Sequence, residues 1–188
     1  MKRAVQVMTA FVAFSAVVVL SATPANAQTS TGASAVDASI GYQLLHVPDE
    51  TFPFGWNVDV SGAVNDVWRL VGEFGMSRDE QSEAGVNGTL KFYHLGAGPR
   101  IASTTGRVHP FVQLLAGAAH TSADLLFANT VGFQDDDWAF MLQPGAGVAV
   151  PIGSVVSIVG QADYRRVFFK EQGDNEFRIG FGLRFAFR

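Results

Sequence analysis

The sequence predicts an all-β fold, an eight-stranded antiparallel up-and-down β-barrel that crosses a membrane. Side chains alternate between apolar and polar with a period of two along most of the chain, as strands with two different environments require. The connections between the alternating stretches are in turn short and long. Beyond the first thirty or so residues no apolar run approaches the roughly 18 residues of a helical span, so the apolar character is carried by strands.

The chain opens on Lys2 and Arg3, then an apolar stretch from about Ala4 to Leu20, then Ala25-Asn26-Ala27. A charged start, an apolar run and a small-x-small site are the order of an export signal, so residues 1–27 are read as a signal peptide. The alternative, a membrane anchor, is disfavoured by Gln6, Thr9 and Ser15 within a run already short for a span. Without residues 1–27, 161 residues remain, one domain's worth, carrying 11 basic against 17 acidic residues. This balance argues against a nucleic-acid partner. With no cysteine there are no disulfides and no thiolate metal sites, so the fold alone supplies stability. Residues 28–35, rich in Ser, Thr and Gly, read as a flexible lead-in to a barrel domain over 36–188.

The alternation is clearest at the end. Phe177, Ile179, Phe181, Leu183, Phe185 and Phe187 share one face, and Glu176, Arg178, Gly180, Gly182, Arg184 and Ala186 the other. Seven further strands are expected at about 36–46, 55–64, 67–76, 90–101, 107–119, 137–150 and 155–168. Tight turns are expected at Asn65-Asp66, at Ser103-Thr104-Thr105-Gly106 and at Pro151-Ile152-Gly153, all with suitable turn residues. The other connections, about 47–54, 77–89, 120–136 and 169–175, are longer and polar. Short turns at one rim, long loops at the other and an even strand number match a bacterial outer-membrane barrel.

Alternation does not say which face points inward, since a soluble barrel of the lipocalin kind buries its apolar face. Asp59, Arg69, Glu73, Arg100, Gln113, Gln143, Gln161, Asp163, Arg165, Arg178 and Arg184 lie opposite the apolar ladders and include both signs. Inside a narrow barrel they can pair as a structural polar ladder, whereas an Arg facing lipid costs about 2–4 kcal/mol at the midplane. The aromatic residues favour the apolar face outward over the alternative of rings packed in an ordinary core. Trp56, Trp138, Tyr164 and Phe177 fall beside the long loops and Trp68 and Phe187 beside the short turns, the two belts of an aromatic girdle.

The terminus Gly182-Leu183-Arg184-Phe185-Ala186-Phe187 resembles the insertion signal of outer-membrane barrels, in which a glycine is followed at +3 and +5 by aromatics. Arg188 after the last aromatic, and Gly180 where a polar residue is usual, depart from it. Together with the strands and the loop alternation, the chain resembles the small eight-stranded outer-membrane β-barrels, a group that includes outer membrane proteins A, X and W. The stretch Gly96-Ala97-Gly98-Pro99-Arg100, with His109-Pro110-Phe111-Val112 and Leu115-Ala116-Gly117-Ala118, resembles a hairpin frequent in the outer-membrane β-barrel domain family. The resemblance implies export to the outer membrane, lipid and the barrel assembly machinery as partners, and a monomer. Pro99, Pro110 and Pro144 fall inside strands, where a closed sheet has no edge for a missing donor. A turn centred on Thr104-Thr105 would set Pro99 opposite Pro110, in a non-hydrogen-bonded pair flanked by bulges.

No catalytic site, cofactor site or metal site is expected. Enzymes of this architecture work from a His with a Ser and an acid at the outer rim, and His46 and His120, with Ser122 and Asp124, lie near that rim. His46, His94, His109 and His120 are nevertheless read as loop or girdle histidines. Asp135-Asp136-Asp137 lacks the spaced oxygen ligands of a calcium loop and reads as a solvated tip. Apolar 125–127 and 131–133 fit two readings equally, a partner site or strands that continue above the membrane. The function expected is an envelope or surface-recognition scaffold with a polar, side-chain-filled lumen. A lipid-modifying enzyme and a conduit for small apolar molecules are the alternatives.

Overall fold

The computed structural model describes residues 35–47, 50–83, 86–127, 130–168 and 173–187. The expected export signal and nearly all of the lead-in lie outside these residues. The strands are β1 (Val36–Val47), β2 (Glu50–Phe52), β3 (Phe54–Ala63), β4 (Trp68–Glu83), β5 (Val86–Ala102), β6 (His109–Phe127), β7 (Thr130–Pro151), β8 (Val156–Phe168) and β9 (Gly173–Phe187). All pairings are antiparallel: β1 pairs with β3 past the short β2, each strand from β3 to β9 pairs with the next, and β1 also pairs with β9, from Val36↔Phe187 to His46↔Phe177. Eight strands therefore close into a barrel. The three-residue β2 lies within the expected loop 47–54 and folds back on the end of β1 through Leu45↔Phe52.

Followed around the eight strands, and carried in register across the interruptions at Pro99 and Pro144, a row that leaves β1 at Val36 comes back to β1 at His46, ten residues nearer the loops. That stagger tilts the strands by about 40° and sets a bore that side chains can fill. Among the described residues no helix is long and apolar enough to cross a membrane.

The short turns follow from local chemistry. Asn65 Oδ1 accepts hydrogen bonds from the backbone N–H of Val67 (2.9 Å) and Trp68 (2.8 Å), a side chain standing in for the backbone of the turn. In the β5–β6 connection Gly106 adopts φ +89°, a conformation that a Cβ penalises. This turn corrects the proline expectation. Ala102 faces Phe111, Ser103 N–H donates to Pro110 O (2.9 Å), and Pro99 and Pro110 are out of register. The positive φ places the turn beyond Thr105, which moves the register by several residues. Instead, the β5–β6 ladder is interrupted at Gly98 and Pro99, and the β7–β8 ladder at Gln143 and Pro144, each beside a proline that lacks a donor.

Two of the expected long loops are strand. β4 and β5 stay paired to Glu83↔Val86, and β6 and β7 to Phe127↔Thr130 with one register shift near Leu125. Strands do not have to stop at the membrane surface, because β-forming residues such as Val86, Thr130, Val131 and Phe133 sustain the ladder in water as well. Of the two readings of this region the backbone follows the second. The side chains of 123–127 and 130–137 lie outside the description.

Candidate functional site

Alternation assigns each strand's side chains to two faces, and the burial separates them. Phe181 is 57 % exposed and Leu183 40 %, while Asp163 is 1 % exposed and Arg178 fully buried. Greasy side chains point outward and ionic ones toward the axis, the reverse of a soluble barrel. All eleven residues of the expected polar ladder are buried. Five buried arginines, Arg69, Arg100, Arg165, Arg178 and Arg184, share the lumen with five buried carboxylates, Asp37, Asp59, Glu73, Asp163 and Glu176. A balanced set of charges can satisfy itself where water cannot reach.

Arg178 is the hub. Its Nη2 donates to Glu73 Oε2 (2.8 Å) and Asp163 Oδ2 (2.7 Å), and its Nη1 to Gln43 Oε1 (2.9 Å). Gln143 Nε2 donates to Glu73 Oε1 (3.0 Å) and accepts at Oε1 from Arg165 Nε (2.8 Å), whose Nη1 reaches Glu176 (3.1 Å). On the other side Gln113 Nε2 donates to Asp163 Oδ1 (3.0 Å) and its Oε1 accepts from Arg100, which pairs with Asp59 (3.2 Å). This one network touches β1, β3, β4, β5, β6, β7, β8 and β9, every strand of the barrel. Nearer the short turns Arg69 pairs with Asp37 (2.9 Å) and Arg184 Nε donates to Ser39 Oγ (3.2 Å). Gly145 makes room for the centre, since a Cβ there would collide with the Asp163 carboxylate.

The lumen is not polar throughout, and this corrects the expectation of a wholly polar filling. On four strands the inward-facing residue next outward of the network is apolar: Leu45 after Gln43, Phe92 before His94, Met141 before Gln143, Val167 after Arg165. With Phe52, Ala119 and Ala139 they form one buried cluster that caps the network below the loops. Ala102, Phe111, Ala149 and Val159 form a second at the short-turn end. Arginines stack on both: Arg165 lies 5.2 Å from the Phe92 ring centre, and Arg100 and Arg184 lie 4.7 and 5.0 Å from Phe111. The cavity beside Ser39, Asn57, Asp59 and Gln161 is about 20 Å³, enough for a water.

Four expectations about histidines meet different fates. His46 is exposed with Nδ1 2.8 Å from Thr51 Oγ1, and His109 Nε2 lies 3.2 Å from Gly106 O at the short-turn rim. His120 is on the outer face, stacked on Trp138 (ring centres 4.5 Å) and Tyr93 (6.2 Å). His94 is a correction. It is neither loop nor girdle but fully buried in the network, with Nε2 3.1 Å from Glu73 Oε1 and 3.3 Å from Arg178 Nη1. Its even number on β5, shared with inward Arg100, was the available signal. Gln43, Asn57, Ser77 and Glu176, which the expected ladder does not include, are buried in the same lumen.

Trp68, Trp138, Tyr164, Phe177 and Phe187 are exposed on the outer face, with Trp56 half-buried there. Phe185 and Phe187 face outward on β9, and Gly182 faces Gly41 across the β1–β9 seam. Among the described residues no three His, Asp or Glu converge as a metal site. The side chains of Asp124, Asp135, Asp136 and Asp137 lie outside the description.

A closed sheet with lipid-compatible walls and an ionic, capped bore has a counterpart among known families. Residues 12–185 match the outer membrane protein beta-barrel domain. The chain belongs to that family. No similar sequence was found among curated proteins. Among solved structures, the attachment invasion locus protein Ail of Yersinia pestis is 20% identical with a TM-score of 0.53, over 82% of this chain and 99% of that one. Neisserial surface protein A is 15% identical with a TM-score of 0.59, over 81% and 96%. At these identities the likeness is one of fold. The family places the barrel in the bacterial outer membrane, where the outward apolar face meets lipid.

Proposed function

We propose that this outer-membrane barrel is a sealed, non-catalytic scaffold that holds a raised, acidic sheet at the cell surface for contact with a basic partner. The observation that carries the reading is the unequal height of the strands. β3 reaches only as far as Phe54↔Arg78, and β8 only as far as Phe140↔Phe168. β4 continues to Glu83 and β7 begins at Thr130, so four strands rise above the closed barrel as an open sheet. Among the described residues β7 has a neighbour on one side only over 130–139, which leaves ten residues of strand edge. Such an edge offers backbone groups to an extended segment of another chain.

Composition adds the sign. Residues 79–90 and 120–137 contain seven acidic residues and no Lys or Arg. Complementary charge steers encounter, so a basic surface suits this sheet. The name of the structural neighbour, attachment invasion locus protein, speaks of contact with other cells, and a role of that class is extended here to this chain. Sealing of the lumen by the network and both apolar clusters supports a scaffold over a conduit. The burial of His94 and the lipid-facing stack of His120 support a non-catalytic reading.

The test replaces 122–136 by Asn-Gly, a two-residue hairpin that keeps the Thr121↔Asp137 pair. Vesicles bearing the intact chain adhere to a surface coated with a basic matrix protein, less so as salt rises. Adherence falls to that of empty vesicles with the shortened chain, which still changes gel mobility on heating. Equal adherence by both chains contradicts the proposal.

A further inference from the structure

We propose that Phe52 is a hinged stopper in the outer mouth of the bore, and that β2 swings it out to admit water to a vestibule floored by the ionic network. The register shows how this ring enters the bore. Tyr42 pairs with Trp56, but three residues further along β1 Leu45 pairs with Phe52 and not with Pro53. Pro53 is thus the extra residue of a β-bulge, and it has no N–H to lose from the ladder. On an unbroken strand Phe52 and Phe54, two positions apart, would share a face. The bulge separates them: Phe54 is 56 % exposed on the outer face, while Phe52 is 5 % exposed among the residues that cap the network.

Phe52 is attached differently from the other large side chains of the cap. Phe92, Met141 and Val167 stand on strands paired on both sides at those positions, and Leu45 is held by β9. Among the described residues β2 has β1 alone as a hydrogen-bonded neighbour, over three residue pairs. Two side chains of β1 fasten it from outside: His46 Nδ1 lies 2.8 Å from Thr51 Oγ1, and the Tyr42 hydroxyl donates to Pro53 O. A short segment with one neighbour opens at lower free energy than the strands around it. The groups under the cap favour opening. Among the described residues three buried side-chain nitrogens have no hydrogen-bond partner, and two of them, His94 Nδ1 and Arg165 Nη2, belong to residues adjoining the cap. His94 follows Phe92 on the inner face of β5, and Arg165 stacks on the Phe92 ring and precedes Val167 on the inner face of β8. A closed cap leaves both nitrogens unpaired, whereas an open one lets water reach them. The network beneath still joins the strands through Arg178, so the vestibule is a dead end and the bore stays shut.

The experiment uses the whole chain in phosphatidylcholine nanodiscs. The protein has no cysteine, so Met141→Cys places a single thiol under the stopper, and its reaction with a charged, water-soluble methanethiosulfonate reads how often the cap opens. The thiol of M141C reacts slowly but to completion. Tyr42→Phe, which removes one fastening on the outer face, speeds the reaction about fivefold, the worth of one hydrogen bond. Phe52→Ala, which removes the stopper itself, speeds it about a hundredfold. In the unsubstituted chain, hydrogen exchange followed by mass spectrometry shows the amides of 50–52 exchanging ahead of those of β1 and β3. No reaction of M141C in a chain that keeps its heat-dependent gel shift, a rate unchanged by Y42F or by F52A, or β2 amides as protected as those of β3 each overturns the proposal. The exchange measurement needs no variant, so it decides the matter even where M141C impairs insertion.

Discussion

Inside the membrane the sheet is closed and wrapped around an ionic centre; above it, among the described residues, β4 to β7 continue as an open sheet. The difference follows from the solvent. In lipid an unpaired backbone group costs several kcal/mol, so β1 must find β9 and the edges disappear. In water an edge is hydrated at little cost, so β4 and β7 continue past the loop-end residues of β3 and β8, Phe54 and Phe168. The closed part is a solution to a solvation problem, and the open part is where recognition has room to evolve.

That comparison is broken most severely by removing the hub. Arg178→Leu leaves Glu73 and Asp163 buried without their guanidinium, and loss of one partner of a buried ion pair costs about 3–5 kcal/mol. Urea unfolding in detergent micelles is expected to shift by that amount, whereas shortening the β6–β7 hairpin leaves the midpoint nearly unchanged. A hairpin deletion as costly as the Arg178 substitution would mean that the raised sheet, not the ionic centre, holds the barrel. A smaller effect sharpens the point. Gly145→Ala pushes a methyl group against Asp163, and overpacking of this kind costs about 1–3 kcal/mol. An unchanged midpoint would show that the centre yields more easily than its hydrogen bonds imply.

Most of the barrel was legible because a two-residue period is a direct imprint of sidedness. Phe181, Leu183 and Arg178 declare their faces by position alone, and the same parity set all eleven ladder residues inside. What parity hides is height. Leu45, Phe92, Met141 and Val167 share the face of Gln43, His94, Gln143 and Arg165, yet lie one step nearer the loops, where an apolar cap replaces the network. His94 was obscured by residue type, since a histidine near a loop invites a chemical reading while its parity pointed inward. Register across turns was the weakest inference. Pro99 and Pro110 were paired on a turn centre that the positive φ of Gly106 displaces. The raised sheet was obscured by polar composition, because residues that suit a loop also suit a strand bathed in water.

Whether the bore is sealed is tested most directly by the current through single barrels in a planar lipid bilayer. The network that joins all eight strands, with Phe92 and Met141 above and Phe111 below, predicts no resolvable conductance steps at any voltage the bilayer withstands. A steady, ohmic open-channel current from correctly folded protein would contradict it.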